Sequence, residues 1–169
     1  MKYNNSLILG VDPGLEKTGY GLIKVDGNEE KLVEGGVVRS KVGIPVEDRL
    51  VSIFKGISEV ITEFKPSVVV IEEIYVHKSH PKTAVIMGYV RGIILMTARL
   101  NSIPVMSYPA TTIKKFLTGN GRASKQQVQK MIMKRLRINK VPSPDDVSDA
   151  LATALCHACS VSINRIKKL

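Results

Sequence analysis

The first apolar run of the chain, Leu7-Ile8-Leu9-Gly10-Val11, is continuous rather than alternating, the pattern of a strand buried on both faces. It stops at the turn residues Asp12-Pro13-Gly14. Residues 19–25 form a second apolar stretch, Asp26-Gly27 marks another turn, and residues 31–40 form a third stretch. Three strands joined by short turns are expected to pair as an antiparallel meander. Between Val46 and Phe64 the apolar positions Leu50, Ile53, Phe54, Ile57, Val60, Ile61 and Phe64 recur at three- and four-residue spacing, an amphipathic helix that Pro66 stops. Val68-Val69-Val70-Ile71 is a second doubly buried strand, expected parallel to the first, and it runs into Glu72-Glu73.

Residues 83–100 have helical length but are apolar nearly all round, so this helix must cover two surfaces. These are its own sheet plus either another helix or another subunit. Gly88 and Gly92, four apart, would let a second helix approach closely there. A short strand over residues 103–108 completes a β-α-β unit, and a short helix after Pro109 carries Lys114 and Lys115. Ser124 with Gln127 reads as a capping box opening a helix to Arg137, with Lys130, Lys134 and Arg137 on one exposed face. A last helix opens at Ser143-Pro144 and runs to Ile166. No repeat or linker interrupts residues 1–169, so the pattern predicts a single α/β domain, a mixed five-stranded sheet flanked by helices.

Composition adds a partner. The chain holds 25 Lys+Arg against 15 Asp+Glu, a net charge of +10. The excess is one-sided: residues 1–73 hold nine basic and twelve acidic residues, whereas residues 74–169 hold sixteen and three. Residues 114–140 carry nine Lys/Arg and no acid. Such a field suits a polyanion, with released counterions supplying affinity for nucleic acid, although a solvated surface gives the same signal. Trp is absent and aromatics are 5%, which disfavours a broad base-stacking platform. No apolar run is expected to reach the ~20 residues of a membrane span. The N-terminus lacks a secretory pattern and there are two cysteines, so a reducing cytoplasm is expected.

Candidate chemistry lies in the carboxylates. Asp12 and Glu72 end two continuous apolar strands, and parallel neighbours would bring both out at one sheet edge. Asp146 and Asp149 share a face of the last helix. Four converging acids would suit hard divalent cations, which activate water and stabilise the leaving oxygen in phosphodiester hydrolysis. Each also has a plain structural role open to it: turn chemistry at Asp12, an exposed strand end at Glu72 or Glu73, helix-dipole complementation at Asp145 and Asp146.

Asp12-Pro-Gly-x-x-x-Thr18-Gly-Tyr-Gly21, Ile71-Glu72-x-x-Tyr75, Arg91-Gly92 and Asp146-x-x-Asp149-Ala-Leu-Ala152 together resemble the RuvC-type Holliday junction resolvases in order and spacing. The likeness runs from Leu7 to Ile163. It implies an RNase H-like fold and a crossover junction endodeoxyribonuclease of DNA recombination and repair. That enzyme is a homodimer nicking opposed strands of a four-way junction and leaving 5′-phosphates. It further implies two Mg²⁺ or Mn²⁺ ions per active site on Asp12, Glu72, Asp146 and Asp149. Lys114 and Lys125 match basic residues near the scissile phosphate, with Lys115 and Arg122 as further DNA-binding candidates. Tyr75 stands where the family has an aromatic that stacks on a base. The apolar helix, with Gly88, Arg91 and Gly92, fits the family's dimer interface, and a branch-migration motor complex is an implied partner.

Other signals carry less. Gly14, Gly19 and Gly21 could cradle a phosphate, but no Walker lysine accompanies them, and a hairpin needing positive φ is the simpler expectation. Cys156-His157-x-Cys159 lacks a second ligand pair for zinc and reads as buried thiols. His77 and His80 fall in an expected loop without a catalytic role. Three rivals remain: an RNase H-type enzyme cutting RNA in hybrids, a non-catalytic junction-binding protein and an actin-like ATPase.

Overall fold

Alternate residues of β1 (Ser6–Asp12) and β4 (Val68–Glu72) point into two separate cores, which is why both strands read as unbroken apolar runs. The computed structural model describes residues 5–74 and 81–166. β2 (Lys17–Asp26) and β3 (Glu29–Arg39) complete the expected meander, β5 (Val105–Tyr108) closes the far edge, and the sheet order is β3-β2-β1-β4-β5. β1 pairs antiparallel with β2 and parallel with β4, which pairs parallel with β5. The β2–β3 turn is tight, with Gly27 at φ +59° between the paired Asp26 and Glu29.

One face of the sheet is covered by α1 (Val46–Phe64) and α2 (Pro81–Leu100), through Ile53, Ile57 and Ile61 of α1 and Val90, Ile94 and Ala98 of α2. The other face is covered by α3 (Ala110–Thr118), α4 (Lys125–Leu136) and α5 (Asp145–Ile166), with Leu151 and Leu155 of α5 fully buried. α1 has the limits its periodicity predicts, with Lys65 at φ +49° ending it before Pro66. The capping box at α4 is present in full, Ser124 accepting from the Gln127 backbone and Gln127 from the Ser124 backbone.

Two expectations need correction. None of Gly14, Gly19 and Gly21 has positive φ; those that do are Gly27, Gly43 and Gly119. A Cβ at Gly14 would stand 2.2 Å from the Lys17 carbonyl oxygen of its own hairpin, whereas Gly10, Gly19 and Gly21 are there because α5 lies almost on the sheet backbone. A Cβ at Gly10 would stand 2.0 Å from the Ala150 carbonyl oxygen, one at Gly19 2.2 Å from that of Asp146, and one at Gly21 2.6 Å from the Leu151 side chain. Gly10→Ala should therefore destabilise by about 1–3 kcal/mol or more, because the obstacle is backbone that cannot turn aside. A urea unfolding midpoint unchanged from wild type would contradict that seating of α5.

The second correction concerns α2. Residues 82–100, with mean hydropathy 1.4, are long and apolar enough by composition to pass for a membrane span. Their inner face packs on α1 and the sheet, while Val85, Tyr89, Leu95, Met96 and Leu100 stay exposed on the outer face. Gly88 and Gly92 lie on the same outer face with open space above them. The two surfaces expected of this helix are thus an inner one, made by this chain, and an outer one that no described residue covers.

Candidate active site

The register of β1 against β4 pairs Val11 with Ile71, and one step further on lie Asp12 and Glu72, side by side at the carboxyl ends of parallel neighbours. Asp12 in turn pairs with Gly19 of β2, and the Gly19 backbone touches that of Asp146 in the first turn of α5. Without a side chain at Gly19, the helix brings Asp146 down to the edge where Asp12 emerges. One α-helical turn later, Asp149 lines a cleft of about 260 Å³ with Glu72, Lys114 and Lys125, over Ala110, Ile113, Val128 and Ala152.

Charge ties these groups together. Burial first, then the carboxylates of Asp149, Glu72 and Asp146, push the Asp12 carboxyl up to about 7, against the opposing pull of Lys125. Glu72 is raised in the same sense by burial and by Asp149, while Lys114 works against the rise. All four candidate carboxylates therefore share one field. Among the described residues, however, no three His, Cys, Asp or Glu side chains stand close enough to hold an ion as placed. The four acids are coupled through charge without forming a closed ligand shell.

Lys125 is bonded to two of the acids on α5. From the first turn of α4 its Nζ lies 3.0 Å from Asp149 Oδ2 and 3.2 Å from Asp145 Oδ2. Burial would depress this ammonium, but its bonds to Asp149 and Asp145 prevail and raise its pKa. Asp145, read from the sequence as a dipole-complementing residue, also accepts from Gln129 at 3.4 Å, so it fastens α5 to α4 beside the site. The donor set suits a hard divalent cation: carboxylate oxygens only, crowded and buried enough to push the Asp12 carboxyl up to about 7 when no cation offsets them.

Lys114 is half-buried in the cleft, while Lys115 and Arg122 are exposed nearby on α3 and the α3–α4 connection. Of the two neighbouring glutamates, Glu72 is raised by burial and by Asp149, while Glu73 is exposed. Tyr75, His77 and His80 lie outside the described residues. Arg91 departs from expectation. Its guanidinium reaches inward from α2, Nη1 donating to the Glu72 carbonyl at 2.9 Å and Nη2 to Ser107 Oγ at 2.7 Å. Its side chain therefore braces the strand ends instead of lying on the outer face with Gly88 and Gly92. The sequence offered only one hint of this, a charge in the middle of an apolar helix.

The thiols fulfil their expectation. Cys156 and Cys159 are free and buried, and burial, then Cys159, pushes Cys156 up to about 12. Arg135, bidentate on Glu30, also donates to Cys159 Sγ at 2.7 Å, tying α4 and α5 to β3.

The family described as crossover junction endodeoxyribonuclease RuvC matches residues 8–157. A protein of that name from Desulforamulus reducens is 40% identical over 152 residues, covering 90% of this chain and 93% of the relative. One from Rhodopirellula baltica is 41% identical over 151 residues, covering 89% and 85%. Among solved structures, Thermus thermophilus RuvC in complex with Holliday junction substrate superposes with a TM-score of 0.88 at 30% identity, covering 94% of this chain and 96% of that one. The yeast mitochondrial Holliday junction resolvase Ydc2, at 15% identity and a TM-score of 0.67, shares the fold. Sheet order, strand-end acids and these likenesses define the class, an RNase H-like nuclease fold. Within it, the chain belongs to the RuvC family of crossover junction endodeoxyribonucleases.

Proposed function

We propose that this protein resolves four-way DNA junctions by paired, metal-dependent nicks during recombination and repair, leaving 5′-phosphate ends. The reading is carried by the acid cluster around Asp12, which faces Lys114 and Lys125 in the basic half of a RuvC-family chain. Asp12, Glu72, Asp146 and Asp149 would hold two Mg²⁺ or Mn²⁺ ions, which supply a water-derived nucleophile at neutral pH and charge for the leaving oxygen. Asp12 must give up its proton to serve, and the cation is what makes that favourable.

Lys114 and Lys125 then meet the scissile phosphate and offset the charge that grows on it. Lys125 does so by leaving Asp149 and Asp145, so the same ammonium neutralises the acids before DNA and metal arrive and the phosphate afterwards. Lys115 and Arg122 hold phosphates farther along the strand, and Tyr75 stacks on a base at the crossover. A four-way junction presents two equivalent strands, so one catalytic domain per subunit in a two-fold homodimer matches it. The outer face of α2, with Gly88 and Gly92, is where the second subunit would seat. The protein would act in the cytoplasm, alongside a branch-migration motor complex.

The test is cleavage of an immobile four-way junction, compared with linear duplex and RNA–DNA hybrid, with and without Mg²⁺. Symmetric nicks in the junction alone, dependent on Mg²⁺, are expected. Preference for the hybrid would move the assignment to RNA cleavage, and tight salt-sensitive binding without nicking would reduce the protein to a junction binder.

A further inference from the structure

We infer that Arg91 is a positioning residue for the reaction: from α2 it holds the main chain at Glu72, and so aims that carboxylate. The inference rests on the resolvase reading above.

β4 ends at Glu72, at the edge of the sheet, where a main-chain carbonyl has lost the support of a continuing strand. Its neighbours are fixed: the register pairs Glu72 with Tyr108, and the Glu73 N–H donates to the Tyr108 carbonyl at 2.9 Å. Arg91 supplies the remaining bond, 2.9 Å to the Glu72 carbonyl, and its second prong takes Ser107 Oγ at 2.7 Å on β5. A guanidinium is a rigid planar fork, so two bonds from one group fix the distance between the two strand ends as well as the direction of each partner. A charged donor also makes the stronger kind of hydrogen bond. With the Glu72 carbonyl held, rotation about the bond beside its Cα is restrained, which fixes the point and direction from which the Cα–Cβ bond leaves the strand.

The rest of α2 does not need Arg91 for its seat. Val90, Ile94 and Ala98 are fully buried against α1 and the sheet, and they account for the helix's packing. Among the described ion pairs none involves Arg91, so its charge is directed to two neutral oxygens at the site and to no carboxylate. Because the outer face of the same helix is exposed, anything that steadies α2 steadies Glu72 as well.

The experiment compares Arg91→Ala, Arg91→Lys and Ser107→Ala with wild type in the full-length protein. Four quantities are read: single-turnover junction cleavage, junction affinity without divalent metal, the Mn²⁺ concentration for half-maximal rate, and the thermal midpoint. Arg91→Ala should cleave about 30–100-fold more slowly and need several-fold more Mn²⁺, with junction affinity within about two-fold of wild type. Arg91→Lys, keeping the charge and one bond, should recover part of the rate, and Ser107→Ala should lose about five-fold. Wild-type rate in a folded Arg91→Ala overturns the inference, as does junction affinity falling in step with cleavage. If Arg91→Ala does not fold, Ser107→Ala decides, and an unchanged rate there overturns it. A wild-type chain that leaves the junction whole fails the resolvase reading and takes this one with it; a cleaving wild type matched by Arg91→Ala removes the role of Arg91 alone.

Discussion

Asp12→Asn should abolish junction cleavage while leaving junction binding intact or slightly tighter. Asp12 is the carboxylate that every other member of the cluster pushes on, standing between Glu72 on the neighbouring strand and Asp146 and Asp149 on α5. Removing its charge removes the acid common to both sides of the site. A loss of about 1,000-fold or more is expected, equivalent to about 4 kcal/mol of transition-state stabilisation. Affinity for DNA comes instead from phosphate contacts in the basic half of the chain, which the substitution leaves alone. Gel-shift binding and cleavage of the same junction read the two effects separately. Retained cleavage would exclude Asp12 from the chemistry, and lost binding would make it a folding or DNA-contact residue.

The same substitution should make the metal-free protein more stable at alkaline pH. Folding raises the Asp12 carboxyl from 3.8 to about 7, so between those values the folded chain binds more protons than the unfolded one. The stability associated with that extra proton is fully present below about 4 and is lost as pH rises through about 7. The wild-type protein in chelator should therefore lose on the order of 3 kcal/mol through this group between pH 4.5 and 8.5. Asn at position 12, neutral at every pH, should not show that loss. Urea titrations of both proteins across this range give the comparison, and added Mg²⁺ should close the gap at pH 8.5 by offsetting the crowded charge. Parallel pH profiles for the two chains would show that Asp12 is not the group that carries the strain.

The elements were legible wherever local chemistry sets them. The limits of α1 follow from three- and four-residue spacing and a proline, the capping box of α4 from Ser124 and Gln127, and the two-sided burial of β1 and β4 from unbroken apolar runs. Asp12 and Glu72 could be placed at strand ends for the same reason. The hairpin glycines were legible as special but not for their cause. Their φ values are not positive, and what demands Gly19 and Gly21 is α5, about 130 residues away in sequence, lying against the sheet. Arg91 was grouped with Gly88 and Gly92 by the family resemblance, which does not say where a long flexible side chain ends. Its destination depends on two carbonyl and hydroxyl oxygens contributed by β4 and β5. The apolar character of α2 was legible all round its surface, and its length and composition are also those of a membrane span; only the packed structure shows which face this chain covers.

By itself, the sequence determined the order of strands and helices, the basic half of the chain, and which acids stand at element ends. These depend on residue type and short spacing, and so are written locally. Tertiary structure decided how those acids feel one another. Burial and register put Asp12 beside Glu72, a missing Cβ at Gly19 admitted Asp146, and Lys125 took Asp149. Electrostatic coupling falls with distance and rises with burial, and only the packed fold sets either.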